Sequence, residues 1–201
     1  MDRRQWGWIQ IRKGHRNMYE ILPSKTLKSM LPFAALPLLM AAVYFSQAGR
    51  ANNFILLNYE IIVIFSYIAA VGDIKTKHIP NSLILAMLGV WVCVTAFHMI
   101  VDIESAIPLA VDSLLGFAVS GVIFLIVYII SRKGVGGGDV KFMAAAGLYI
   151  GVGGSLPAIF IGTTLAAVVG LALIVFKKIG RKDTLPLVPF LFAGILATIL
   201  A

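Results

Sequence analysis

Charge is scarce in this chain of 201 residues: Asp, Glu, Lys and Arg make up 13% of it, against 60% hydrophobic residues. A soluble domain of this size cannot bury so much apolar surface. Cysteine occurs once, as Cys93 inside an apolar run. A single cysteine excludes an intrachain disulfide and a multi-cysteine zinc site, and its setting reads as a buried packing position. The three histidines, His15, His78 and His98, are scattered and form no cluster with zinc-ligand spacing. Acidic residues number 9 against 17 Lys and Arg, for a net charge of +8. That excess does not indicate a nucleic-acid partner, because the basic residues fall in short clusters between apolar runs instead of along one stripe.

What the chain has in quantity is long apolar runs. Several approach or exceed the roughly 17–20 residues that cross a bilayer core. They do not alternate as barrel strands do, and backbone groups in lipid must then be satisfied within helices. The expected fold is all-α, a polytopic membrane helix bundle of about seven spans. A polar, basic segment over 1–30, with Trp6, Trp8, Ile9 and Ile11 among its charges, suits an interfacial helix on an anionic leaflet or a basic tail. Residues 31–46 form a first apolar segment carrying Pro32 and Pro37; with Ser46-Gln47-Ala48 it loosely resembles a signal peptide, but it is taken as a retained helix. Further spans are expected over 54–72, 80–101, 107–130, from near Asp139 to about Val152, over 156–176 and over 184–201. Pro80 suits the first position of the third helix. The small residues of the fifth, Ala144, Ala145, Ala146, Gly147 and Gly151, suit close helix contacts.

The basic residues also orient the bundle. With the amino terminus cytoplasmic, the segments 1–30, 73–79, 131–141 and 177–183 lie inside and hold 7, 2, 3 and 4 Lys and Arg, which is 16 of the 17. Only Arg50 lies outside, and Asp102 and Glu104 occupy an outer loop. The positive-inside rule therefore sets the amino terminus in the cytoplasm. It also brings two carboxylates, Asp73 and Asp139, to the same cytoplasmic level although 66 residues separate them.

A carboxylate at the mouth of an apolar segment is a functional candidate by default. Two of them within a few ångströms share one proton. The ionised member can then take a proton from water while the protonated member polarises a carbonyl, the division of labour of aspartic proteases. That chemistry needs neither metal nor cofactor. Asp139 follows Gly136, Gly137 and Gly138, which remove side-chain bulk and let an extended substrate approach.

Gly136-Gly137-Gly138-Asp139 reads as a G-x-G-D motif, and Asp73 precedes Ile79-Pro80-Asn81. G-x-G-D alone is shared with presenilin-type proteases; the ordered pair on one membrane face resembles the type IV prepilin peptidases, which include the archaeal preflagellin peptidases. The resemblance covers roughly residues 54–201, so 1–30 is set apart as a basic cytoplasmic segment and 31–53 as an extra amino-terminal helix with an outer loop. Leu185-Pro186-Leu187-Val188-Pro189-Phe190-Leu191 is similar to the opening of the family's last helix but departs from its usual Pro-Phe-Gly-Pro pattern at Leu187 and Val188.

The resemblance implies Asp73 and Asp139 as the catalytic pair of a membrane endopeptidase. Such enzymes cut the basic leader from pilin-like or flagellin-like precursors at the cytoplasmic face of the cell membrane, usually just after a glycine, while the substrate's apolar helix stays in the bilayer. Longer members carry paired-cysteine motifs and also N-methylate the new amino terminus. This chain resembles the short, peptidase-only form that serves Flp/Tad-type pili.

Other residues admit plainer roles. Lys141 biases Asp139, meets an acidic group of the substrate or snorkels to the interface; Lys75 and Lys77 read as topology determinants. Asn81 braces or caps the helix opening at Pro80. Glu60 and Asp112 fall towards the outer half and read as structural, and Trp91 as packing. A transporter or proton relay built on the same acids is the competing class, but no inverted repeat is evident; a non-catalytic membrane scaffold is the third reading.

Overall fold

The computed structural model describes residues 25–49, 51–131, 135–177 and 185–201, with side chains from residue 35 onward. The expected basic segment lies outside the described residues up to residue 24; from Lys25 the chain is already helical. The chain divides into two compact units, 1–35 and 36–201. The first contributes only the opening turns of α1 to the described residues.

The described residues form six helices and no strand: α1 (Lys25–Gln47), α2 (Asn53–Thr76), α3 (Asn81–Val101), α4 (Ile103–Ile130), α5 (Gly137–Val175) and α6 (Val188–Leu200). Four of them, α2 to α5, are long and apolar enough to cross a membrane. The protein is thus a polytopic membrane helix bundle, as its composition requires.

The fifth and sixth expected spans are the two arms of α5. At 39 residues, a straight helix would rise roughly 58 Å, about twice a bilayer core. The helix breaks at Gly151, where φ is 64° and ψ −173°, a conformation open only to glycine. Packing shows that the chain turns back there. On the first arm, Ala144 meets Gly121, Gly147 meets Gly116 and Gly151 meets Asp112, so this arm runs antiparallel to α4. On the second arm, Gly154 meets Thr198, Gly194 meets Ala158, and Gly162 meets Phe190 and Leu191, an antiparallel pairing with α6. Asp112 holds the reversal: its Oδ1 accepts the Val152 N–H at 3.3 Å, one of the donors left open where a helix restarts.

The first arm of α5 is the post around which the others pack. Every residue from Phe142 to Gly151 is buried. Its contact with α4 is backbone on backbone, because a Cβ on Gly116 would sit 2.3 Å from the Gly147 carbonyl oxygen. Lipid tails are as apolar as leucine, so close van der Waals approach of this kind is what drives helix association in a bilayer. Tyr149 adds a tie to α3, donating its hydroxyl to the Met87 carbonyl at 2.5 Å.

Two expectations are corrected. Cys93 is exposed: the buried positions of α3 are Ile84, Met87 and His98, and Cys93 lies off that face. Pro80 is the extended N-cap residue of α3, with φ −68° and ψ 137°, and the helix opens at Asn81.

Candidate active site

Asp73 stands in the last turn of α2 and Asp139 in the first turn of α5. Short connections, 77–80 between α2 and α3 and 131–136 between α4 and α5, bring these helix ends to one end of the bundle. There the two aspartates line a single cavity of about 390 Å³ with Lys77, His78, Ile79, Gly136, Gly137, Gly138, Leu185, Pro186 and Leu187. Asp139 is close enough to feel the charge of Asp73.

The two carboxylates are held differently. Asp139 is half-buried and caps its own helix: its Oδ2 accepts the Gly136 N–H at 3.0 Å, as an acid at the third helical position does. Asp73 is 5% exposed. Its Oδ2 accepts the N–H of Val188, 115 residues away at the start of α6, at 3.1 Å. Its main-chain carbonyl accepts the N–H of Lys77, which closes α2 in the left-handed region at φ 52°.

The glycines differ in what surrounds them. Gly138 rests on Ile79, with a Cβ at this position 3.4 Å from that of Ile79. A Cβ on Gly136 would sit 3.2 Å from Asp139 Oδ2, whereas one on Gly137 would meet nothing within 4 Å. Gly137 is therefore the open face of the loop.

Lys141 lies outside the cavity lining. Its ammonium donates to Asn81 Oδ1 at 3.1 Å, so Asn81 braces the start of α5 against that of α3 and makes no side-chain cap of its own helix. Lys77, assigned by sequence to topology, lines the cavity and acts on Asp73 through its charge. His78 and the 185–187 stretch were not picked out as site residues. His78 falls between Asp73 and the Ile-Pro-Asn run; 185–187 opens the stretch that is similar to the start of the family's last helix but departs from its usual pattern at Leu187 and Val188. Glu60 and Asp112 stay away from the cavity, Asp112 at the α5 reversal.

A helical bundle of membrane-spanning length with two carboxylates lining a glycine-rich cavity defines a class of polytopic membrane proteins with paired acids at one end. Comparison with known proteins narrows the class. The model of the type IV leader peptidase family matches residues 60–171, more than half of the chain, and the chain belongs to that family. It is 29% identical over 158 residues to a prepilin leader peptidase/N-methyltransferase of Bacillus subtilis (strain 168), covering 78% of this chain and 61% of that protein. Proteins of the same description from Burkholderia pseudomallei (strain K96243) and Xanthomonas campestris pv. campestris are each 28% identical, over 127 and 140 residues. These matches cover 63% and 66% of this chain, and 40% and 46% of the relatives. The chain thus spans about two-fifths to three-fifths of the length of these relatives. No solved structure matches it.

Proposed function

We propose that this protein is a membrane aspartic endopeptidase that removes the leader from type IV pilin-like or flagellin-like precursors at the cytoplasmic membrane face. The observation that carries the reading is the meeting of Asp73 and Asp139 in one cavity from opposite ends of two helices. Membership of the leader peptidase family supports it, as do relatives named as prepilin leader peptidases. The residues from 54 onward form the peptidase core in this reading, with the helix before them as an addition. The uneven split of basic residues supports a cytoplasmic amino terminus and, with it, a cytoplasmic position for the cavity.

In the reaction, one carboxylate takes a proton from water, and the oxygen adds to the scissile carbonyl carbon. The protonated partner donates to the carbonyl oxygen as charge develops there. Collapse of the tetrahedral species breaks the C–N bond, and the leaving amine takes a proton from the pair. Products are a leader ending in a carboxylate and a mature protein with a new amino terminus. Gly136–Gly138 give the extended substrate backbone access to the acids. The proposed activity stops at hydrolysis, although the relatives' names include N-methyl transfer. The paired-cysteine motifs of the longer members are not found in a sequence with one cysteine.

The test is cleavage of a pilin-type precursor by the purified protein in vesicles, with a sulfonium methyl donor supplied, read by intact mass. Wild type is expected to release the leader and yield a mature product without an added methyl group. Asp73→Asn and Asp139→Asn are each expected to leave the precursor uncut while retaining the helical content of wild type. Near-normal processing by either folded variant refutes the pair; an added methyl group refutes the restriction to hydrolysis.

A further inference from the structure

Asp73 is in an unfavourable place for a carboxylate. The last turn of a helix presents carbonyl oxygens, carries the negative end of the helix dipole and has no N–H to spare. Asp139 has the opposite situation, at a helix start with the Gly136 N–H beside it. The donor that α2 cannot supply to Asp73 comes from the amino end of α6, where free N–H groups and the positive end of a dipole point outward.

The sequence of that end narrows the donors. Pro186 and Pro189 have no N–H. The amides of Phe190 and Leu191 are engaged by the Leu187 carbonyl, at 3.1 and 3.2 Å. The N–H groups of Leu187 and Val188 remain and both act on Asp73; Val188 donates at 3.1 Å, and its side chain is fully buried. The height of α6 is set by contact with the second arm of α5: a Cβ on Gly194 would lie 2.3 Å from the Ala158 carbonyl oxygen. Leu191 and Ile195 are also fully buried.

We propose that the Val188 N–H is a positioning group of the active site, and that it makes Asp73 the anchored carboxylate, the one that orients and activates the water, while Asp139 serves as the acid toward the substrate carbonyl. This rests on the hydrolase reading above. One Asp73 oxygen is committed to α6, which leaves the other for water and for the proton shared with Asp139. Lys77, in the same cavity lining, adds positive charge. Because a main-chain group makes the bond, the side chain at position 188 matters only for packing.

The experiment replaces valine 188 by its α-hydroxy analogue, turning the backbone amide into an ester and deleting this N–H alone. The kcat for precursor cleavage is expected to fall roughly ten- to a hundredfold, the range for a hydrogen bond to a charged group, with KM within about twofold of wild type, since such a loss falls on the transition state. A wild-type kcat in the ester, or an effect confined to KM, overturns the proposal. Should the ester protein fail to fold, amide exchange decides: in Asp73→Ala the Val188 amide is expected to exchange faster than in wild type, and unchanged protection overturns the anchor. A wild-type protein that cleaves no precursor removes the hydrolase reading and this proposal together; an active wild type with a fully active ester removes the proposal alone.

Discussion

At the scale of single residues, the positions of the two acids and of the glycines before Asp139 could be read from the chain, but the tie between Asn81 and Lys141 and the environment of Asp73 could not. Asp139 is followed by its own helix and preceded by its own cap, so local sequence describes it well. The donor to Asp73 comes from 115 residues away. It also comes from the backbone, and therefore leaves no mark in side-chain identity. The departure from the usual family pattern at Leu187 and Val188 weakened that stretch as a sequence signal, yet it costs nothing to a bond made by an N–H. The glycines make a sharper residue-scale prediction. Gly136→Ala crowds Asp139 Oδ2 and is expected to lower cleavage roughly ten- to a hundredfold by displacing the carboxylate. Gly137→Ala meets open space, so its folded bundle is expected to match wild type and any loss to appear in KM. Steady-state kinetics on the two variants, with circular dichroism for the fold, separates these outcomes. Equal effects from both contradict the assignment of Gly137 as the open face.

At the scale of elements, helix number and order followed from hydropathy, because a span needs little more than length and apolar content. Ends were less legible. α1 begins six residues earlier than the apolar run that marked it, and α3 one residue later than Pro80 suggested. The break between the fifth and sixth spans was expected between 152 and 156; it falls at Gly151, where only glycine can adopt the turn and where Asp112 secures the restarted helix. Asp112 was read as structural, and the structure places it at the reversal; its task there depends on a contact across 40 residues that no local pattern reports. Gly151→Ala is expected to destabilise the protein by about 1–3 kcal/mol from backbone strain alone. Its Cβ would also lie 1.9 Å from Asp112 Oδ2, so this is a lower bound. Thermal unfolding of the detergent-solubilised protein checks it, and an unchanged midpoint contradicts the reversal as described.

At the scale of the whole molecule, the bundle has two distinct ends. The ends of α2, α4 and the second arm of α5 gather with the starts of α3, α5 and α6 around the acids, while the α5 reversal and the α3–α4 connection lie opposite. If the end that holds the acids faces the cytoplasm, single cysteines introduced at His78 and at Gly49, in a Cys93→Ser background, are expected to react with an impermeant maleimide from opposite sides of sealed vesicles. Reaction of both from one side contradicts the orientation.

The account stands most directly on Asp73 and Asp139 meeting in one molecule at one membrane face. The decisive measurement is cross-linking of the double variant Asp73→Cys and Asp139→Cys, again with Cys93→Ser, by a short bismaleimide added from the cytoplasmic side of membrane vesicles. An intramolecular bridge between the two positions, mapped by mass spectrometry and absent from either single variant, is the expected result. Two cysteines that each label singly from opposite sides, or that never bridge in a folded protein, contradict it.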